Sequence, residues 1–250
     1  MIQNQFDLLV SSNPSLGAKN VSSDGSTFQI QVPGGLNIPS NAFNVQTQVV
    51  SADLWHNSFN IKDDKNTITI NSTDYTVPAG LYDGNTIGDA ILSLTDKITS
   101  IEPNEATGKM EIVFADTATI DLKDTGIIMG FSSVITGNKD DIFISDIEPS
   151  FNSINYWLIQ SDIIDTGIPI NGTSIGIIAK IISDASPNKQ VLYEPTNPAL
   201  ISSNSLSGSS KSIFNFSLLD DKLNKVDTRG EYYALQLRIS YYEPSDSNNY

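Results

Sequence analysis

Triad hydrolysis by this chain would have to use His56, its one histidine. A serine triad needs a single imidazole, so hydrolysis is formally open. No G-x-S-x-G elbow accompanies it, and His56 lies in Leu54-Trp55-His56-Asn57, a strand or strand end. A structural histidine is the expected reading. Acidic pairs stand at Asp63-Asp64, Asp140-Asp141 and Asp220-Asp221. None has the spacing of a calcium loop, and exposed turns account for them better. Glycoside hydrolysis needs two carboxyls facing each other across a cleft, and 29 acidic residues single out no pair. Gly34-Gly35 and Gly208 belong to no phosphate-binding loop. Trp55, Trp157, Tyr232-Tyr233 and Tyr241-Tyr242 have the chemistry to stack on sugars. Alternation makes half of them core residues, and the rest suit a subunit interface equally well. We therefore assign no catalytic, cofactor-binding or metal-ligating residue, and no cofactor.

Composition narrows the classes further. With 14 basic and 29 acidic residues the net charge is 14 − 29 = −15. Such a surface repels phosphate, which disfavours nucleic acid and anionic membranes as partners. The chain has no cysteine, so disulfides and thiolate metal sites are excluded. Met1–Asp7 lacks the basic and apolar regions of a signal peptide, and no apolar run nears the ~20 residues of a membrane span. The four Asn-x-Ser/Thr triplets (at Asn20, Asn71, Asn171 and Asn215) are expected by chance in so Asn- and Ser-rich a chain.

The elements that would carry a surface are mostly strands. In Glu231–Tyr242, Tyr233, Leu235, Leu237, Ile239 and Tyr241 alternate with Ala234, Gln236, Arg238 and Ser240. That period of two marks a strand with one face in a core. Phe28, Ile30 and Val32 alternate likewise, as do Val45, Thr47 and Val49. Ile154, Tyr156 and Leu158 share a face in a strand over Ser153–Ser161, as do Ile175, Ile177, Ala179 and Ile181 in the next. Lys189–Tyr193 and Ser212–Leu219 complete about eight strands, the count of a jelly roll or related sandwich. Residues 1–26 are polar and turn-rich and read as an N-terminal arm. Between about residues 62 and 135 the character changes. Two strand pairs flank one amphipathic helix, capped by Thr86 and carrying Ile87, Ala90, Ile91, Leu94 and Ile98 at helical spacing. Ile127–Phe131 closes this ββαββ segment. The expected architecture is thus an all-β jelly roll over 27–61 and 136–250, interrupted by a small α+β domain at 62–135.

The order of features is also specific. Val49-Val50-Ser51-Ala52-Asp53-Leu54-Trp55-His56-Asn57 and its continuation to Ile61 are followed by Tyr75-Thr76-Val77-Pro78-Ala79-Gly80-Leu81-Tyr82 leading into a helix. Later come Gly130-Phe131, Tyr193-Glu194-Pro195-Thr196-Asn197-Pro198, Phe216–Asp221 and Val226–Tyr233. This series resembles the penton (vertex capsid) proteins of virophages and polinton-like viruses. The resemblance implies a single jelly roll with an inserted domain, five copies closing each icosahedral vertex among trimers of the major capsid protein. It carries no catalytic residue. It implies a virion protein made in the host cytoplasm, with itself and the major capsid protein as partners; attachment to a host receptor through the insertion is a secondary hypothesis. The alternative is a receptor- or carbohydrate-binding jelly-roll module, which binding to a glycan array would support. A β-sandwich hydrolase would have to lose turnover when His56 is changed.

Overall fold

Alternating side chains can be buried on one face only if strands pair edge to edge, and the chain does so almost throughout. The computed structural model describes residues 1–152, 154–183 and 188–245. Its elements run β1 (Ile2–Ser11), β2 (Thr27–Gln31), β3 (Phe43–Trp55), β4 (Thr67–Ile70), β5 (Thr73–Thr76), α1 (Gly84–Leu92), β6 (Ile98–Pro103), β7 (Met110–Phe114) and β8 (Ala118–Asp121). They continue with α2 (Lys123–Met129), β9 (Ile135–Gly137), β10 (Ile142–Ile144), β11 (Tyr156–Ser161), β12 (Ile177–Ile182), β13 (Gln190–Tyr193), β14 (Ile201–Ser202), β15 (Ile213–Leu219) and β16 (Ala234–Glu243). The chain divides into two units, Met1–Ser58 with Ile154–Tyr250, and Phe59–Ser153.

The first unit is a jelly roll. One sheet has the order β1-β16-β3-β13, with β14 also on β3, and the other β12-β11-β15-β2. Counting only this unit's strands, and taking β14 with β13, the first pairs with the eighth, the second with the seventh, the third with the sixth and the fourth with the fifth. A long antiparallel ribbon rolled over itself produces that pairing. Val10, Phe28, Val49, Trp157, Phe216 and Leu237 are among the side chains buried between the sheets. Phe28 stacks on Phe216 and meets Tyr233 edge-on, with both centroid distances 5.3 Å.

Residues 1–26 are not an arm. All ten residues of β1 pair in register with β16, and Phe6, Leu8 and Val10 turn toward the core. Beyond β1, Lys19 exchanges two 2.8 Å backbone hydrogen bonds with Gln29, closing the outer edge of β2. The Asp24 carboxylate gathers the backbone N–H and hydroxyl of Ser26 and the hydroxyl of Ser22, which fixes the following turn. Between β11 and β12 the register slips at Ile159 and Gln160, which pair with Ala179 and Ile177 and leave Ile178 of β12 as the extra residue. Ile178 and Ala179 both face the core, while Ile177 packs on the opposite side with Leu158 and Leu219. The shared face expected for Ile175, Ile177, Ala179 and Ile181 is split by this bulge. Ser153, the first residue of the expected strand before β12, and the tail 246–250 assigned to the jelly roll lie outside the described residues.

The second unit holds two small sheets, β10-β7-β6 and β5-β4-β8-β9, around its own core of Ile68, Ile87, Ile91, Met110, Phe114 and Ile120 among others. Residues 136–152 belong here rather than to the jelly roll, because β9 pairs with β8 and β10 with β7. Asn71 and Ser72, both at positive φ, make the two-residue turn joining β4 to β5. The cap of α1 is Asp83, three residues before Thr86. Its Oδ1 accepts the N–H groups of Asn85 and Thr86 at 3.1 and 2.8 Å, and the Asp83 N–H donates to the Thr86 hydroxyl. The helix ends at Leu92, a turn early, and Ile98 is buried on β6 instead. Gly88 sets the distance between α1 and β6, since a Cβ there would lie 2.1 Å from the Ile101 carbonyl oxygen. Residues 127–129, which close the segment, form the end of α2, and Gly130 at φ 86° stops that helix in the left-handed conformation.

Candidate functional site

The groups with chemical potential are mostly consumed by the fold. His56 follows β3, buried, with its ring edge-on to Trp157 at a centroid distance of 5.6 Å and its backbone N–H on the Lys189 carbonyl. That is the environment of a packing residue. Asp63 and Asp64 lie exposed in a turn. Asp141 accepts the Asn138 N–H, and Asp220 accepts the N–H groups of Lys222 and Asn224, so both close their own loops. Among the described residues no three His, Asp or Glu side chains are grouped to hold a metal ion.

Other carboxylates follow the same pattern. Asp165 accepts the Ser202 hydroxyl and the N–H groups of Asn204 and Ser205 at 2.6–3.0 Å. Burial works against its charge, yet these hydrogen bonds hold its pKa below the ordinary value. Asp24 is depressed in the same way, with burial outweighed by Ser22 and Ser26. At Asp83 the hydrogen bonds from Thr86 dominate and lower the pKa. Across β1 and β16, Arg238 grips Asp7 through two bonds of 2.7 and 3.0 Å and holds its carboxyl below the usual range.

The aromatic residues separate as alternation requires. Trp157 and Tyr233 are buried, and the Tyr233 hydroxyl donates to the Ser26 carbonyl at 2.9 Å. Burial pushes the Tyr233 phenol well above its ordinary pKa. Trp55 and Tyr232 reach the surface, and Tyr242 stacks on Phe43 at 6.0 Å. Among the described residues, open grooves of about 460 Å³ lie beside α2 (Asp121, Lys123, Ile127, Val134) and of about 360 Å³ beside β11 (Gln160, Asp162, Asn215). Neither gathers buried titratable groups.

Strand edges and outer faces remain. On the first sheet, Gln5, Asp7, Gln46, Gln48, Gln236 and Arg238 alternate with core residues, giving a polar outer face rich in amide groups. β1 and β13 are its terminal strands. In the second unit the charge is concentrated: 16 acidic residues against 6 lysines give 6 − 16 = −10 of the chain's −15. Its exposed apolar residues are aliphatic, with Ile142, Ile144 and Ile147 following closely in sequence. Such surfaces suit contact with other macromolecules rather than turnover of a small substrate. Among the described residues no helix is long and apolar enough to cross a membrane.

No family model matches the chain, and no curated protein sequence matches it. Among solved structures it is similar to the crystal structure of selenomethionine-labelled mavirus penton protein, with 13% sequence identity and a TM-score of 0.51. The match covers 97% of this chain and 100% of that one. At this identity the likeness is one of fold.

Proposed function

We propose that the chain is a structural subunit of a viral capsid, a penton that closes as a pentamer at an icosahedral vertex. The observation carrying this reading is the end-to-end fold likeness to mavirus penton protein, which spans both chains rather than a shared jelly roll alone. The spending of the Asp24, Asp83 and Asp165 carboxylates on turns and caps supports a structural role. A repeated head-to-tail contact that closes after five copies leaves no interface open. On this reading the partners are copies of the same chain and trimers of the major capsid protein. The product is a virion component made in the host cytoplasm, and the second unit is the part available to a host receptor. Copies carrying −15 each repel, so rings form more readily as salt rises.

Electron microscopy of the purified protein, with class averaging, tests the proposal. Closed five-fold rings support it. A discrete trimer would overturn it, as would monomers that stay out of particles co-assembled with the major capsid protein. Monomers that instead bind a glycan array would favour the receptor- or carbohydrate-binding alternative.

A further inference from the structure

We propose that the outer edge of β10, with Ile142 and Ile144 on its exposed face, docks an extended cationic and apolar segment of a partner protein as an added strand. The proposal concerns the second unit alone and does not depend on pentamer closure. β10 is the terminal strand of β10-β7-β6 and pairs with β7 as Ile142↔Val113, Phe143↔Ile112 and Ile144↔Glu111. The Asp141 carbonyl accepts the Phe114 N–H and the Ser145 N–H donates to the Met110 carbonyl. Asp141, Phe143 and Ser145 therefore direct their backbone groups toward β7. The alternation of an antiparallel ladder turns those of Ile142 and Ile144 the other way. Among the described residues no strand pairs with that side.

The side chains add a second, independent signal. Phe143 turns inward and meets Phe114 edge-on at 5.4 Å. Ile142 and Ile144 consequently face out, 61% and 51% exposed. On the same face the register sets Val113 beside Ile142, and Glu111 beside Ile144 with Glu102 next to it on β6. The face is aliphatic along its edge and acidic behind it. Asp140 and Asp141 precede the strand and Asp146 and Glu148 follow it, within a unit carrying −10.

These features choose the occupant. Open strand edges with aliphatic side chains template β-addition, and main-chain hydrogen bonds supply much of its affinity. A second copy would bring the same acidic flanks against each other. A segment alternating Lys or Arg with aliphatic residues instead sets its cations toward Glu111 and Glu102 and its apolar side chains on Ile142 and Ile144.

The test uses the full chain and a short fluorescent peptide alternating Lys and Val, followed by anisotropy. Controls are the Glu–Val counterpart and a Lys–Val peptide N-methylated at alternate residues. The decisive variant is I142D/I144D. It makes the unit more acidic while removing the aliphatic edge, and both positions are exposed, so the fold tolerates the change. Binding of the Lys–Val peptide should weaken about tenfold or more in this variant. It should vanish with the N-methylated peptide and persist in I127D/V134D, which alters exposed residues elsewhere in the unit. Binding that is unchanged or tighter in I142D/I144D would reduce the effect to general charge attraction and overturn the proposal. So would equal binding of the Glu–Val peptide, absence of binding, or a wild-type dimer in sedimentation that I142D/I144D abolishes.

Discussion

Val10 and Leu9 are neighbours in β1, yet Val10 is 1% exposed and Leu9 73%. If β1 is the first strand of the jelly roll, replacing each by alanine must have very different consequences. Val10→Ala deletes two methyl-sized groups from the core opposite Leu235. At about 0.8 kcal/mol each, transfer accounts for ~1.6 kcal/mol, and an incompletely collapsed cavity raises the total to about 2–3 kcal/mol. Leu9→Ala changes a side chain left largely to solvent and should stay within about 0.5 kcal/mol. Both tryptophans, Trp55 and Trp157, belong to the first unit, so their fluorescence in a urea titration reports on it directly. With a slope of about 2–3 kcal/mol/M, the Val10→Ala midpoint should fall by about 1 M while the Leu9→Ala midpoint barely moves. Equal, small shifts would refute the reasoning and return residues 1–12 to the status of an arm.

Gly88→Ala should destabilise the second unit by about 1–3 kcal/mol, because its Cβ meets the Ile101 carbonyl and α1 must lift from β6. Circular dichroism during urea unfolding measures this, and an unchanged curve would mean that helix and strand are not in contact. Asp83→Ala removes the α1 cap and should cost about 1 kcal/mol by the same measurement. Asp24 has a depressed pKa in the folded chain, so its contribution is present above the unfolded value of about 3.9 and is lost as pH falls through the folded value. Asp24→Asn should therefore be less stable than the parent at pH 7, with the difference closing progressively below about pH 4. A constant gap across urea titrations at several pH values would contradict that assignment.

Local sequence reports which face a side chain takes, and where one face is buried it does so well. The alternation of Leu235, Leu237 and Ile239 reads directly as β16, and their burial follows from it. The same signal is present in Phe6, Leu8 and Val10, but the surrounding Gln3, Asn4, Gln5 and Asp7, together with the exposed Leu9, mask it. Pairing with β16, 223 to 241 residues away in sequence, is what reveals β1; Leu8↔Leu237 and Phe6↔Ile239 exist only once the ribbon has rolled up. Ile127–Met129 is too short and too apolar for its period to separate helix from strand, and tertiary packing chose the helix.

Charge and the lack of cysteine, both read from the sequence alone, already exclude thiolate metal chemistry and disfavour a nucleic-acid surface. The candidate docking edge was not legible there. In Asp141-Ile142-Phe143-Ile144, isoleucines look like core residues as much as phenylalanine does. Only the register of β10 on β7, which turns Phe143 onto Phe114, decided that the two isoleucines face solvent. Periodicity is a property of neighbours along the chain, whereas sheet order, bulges and free edges are settled by contacts between distant segments, where burial and loop closure are decided together.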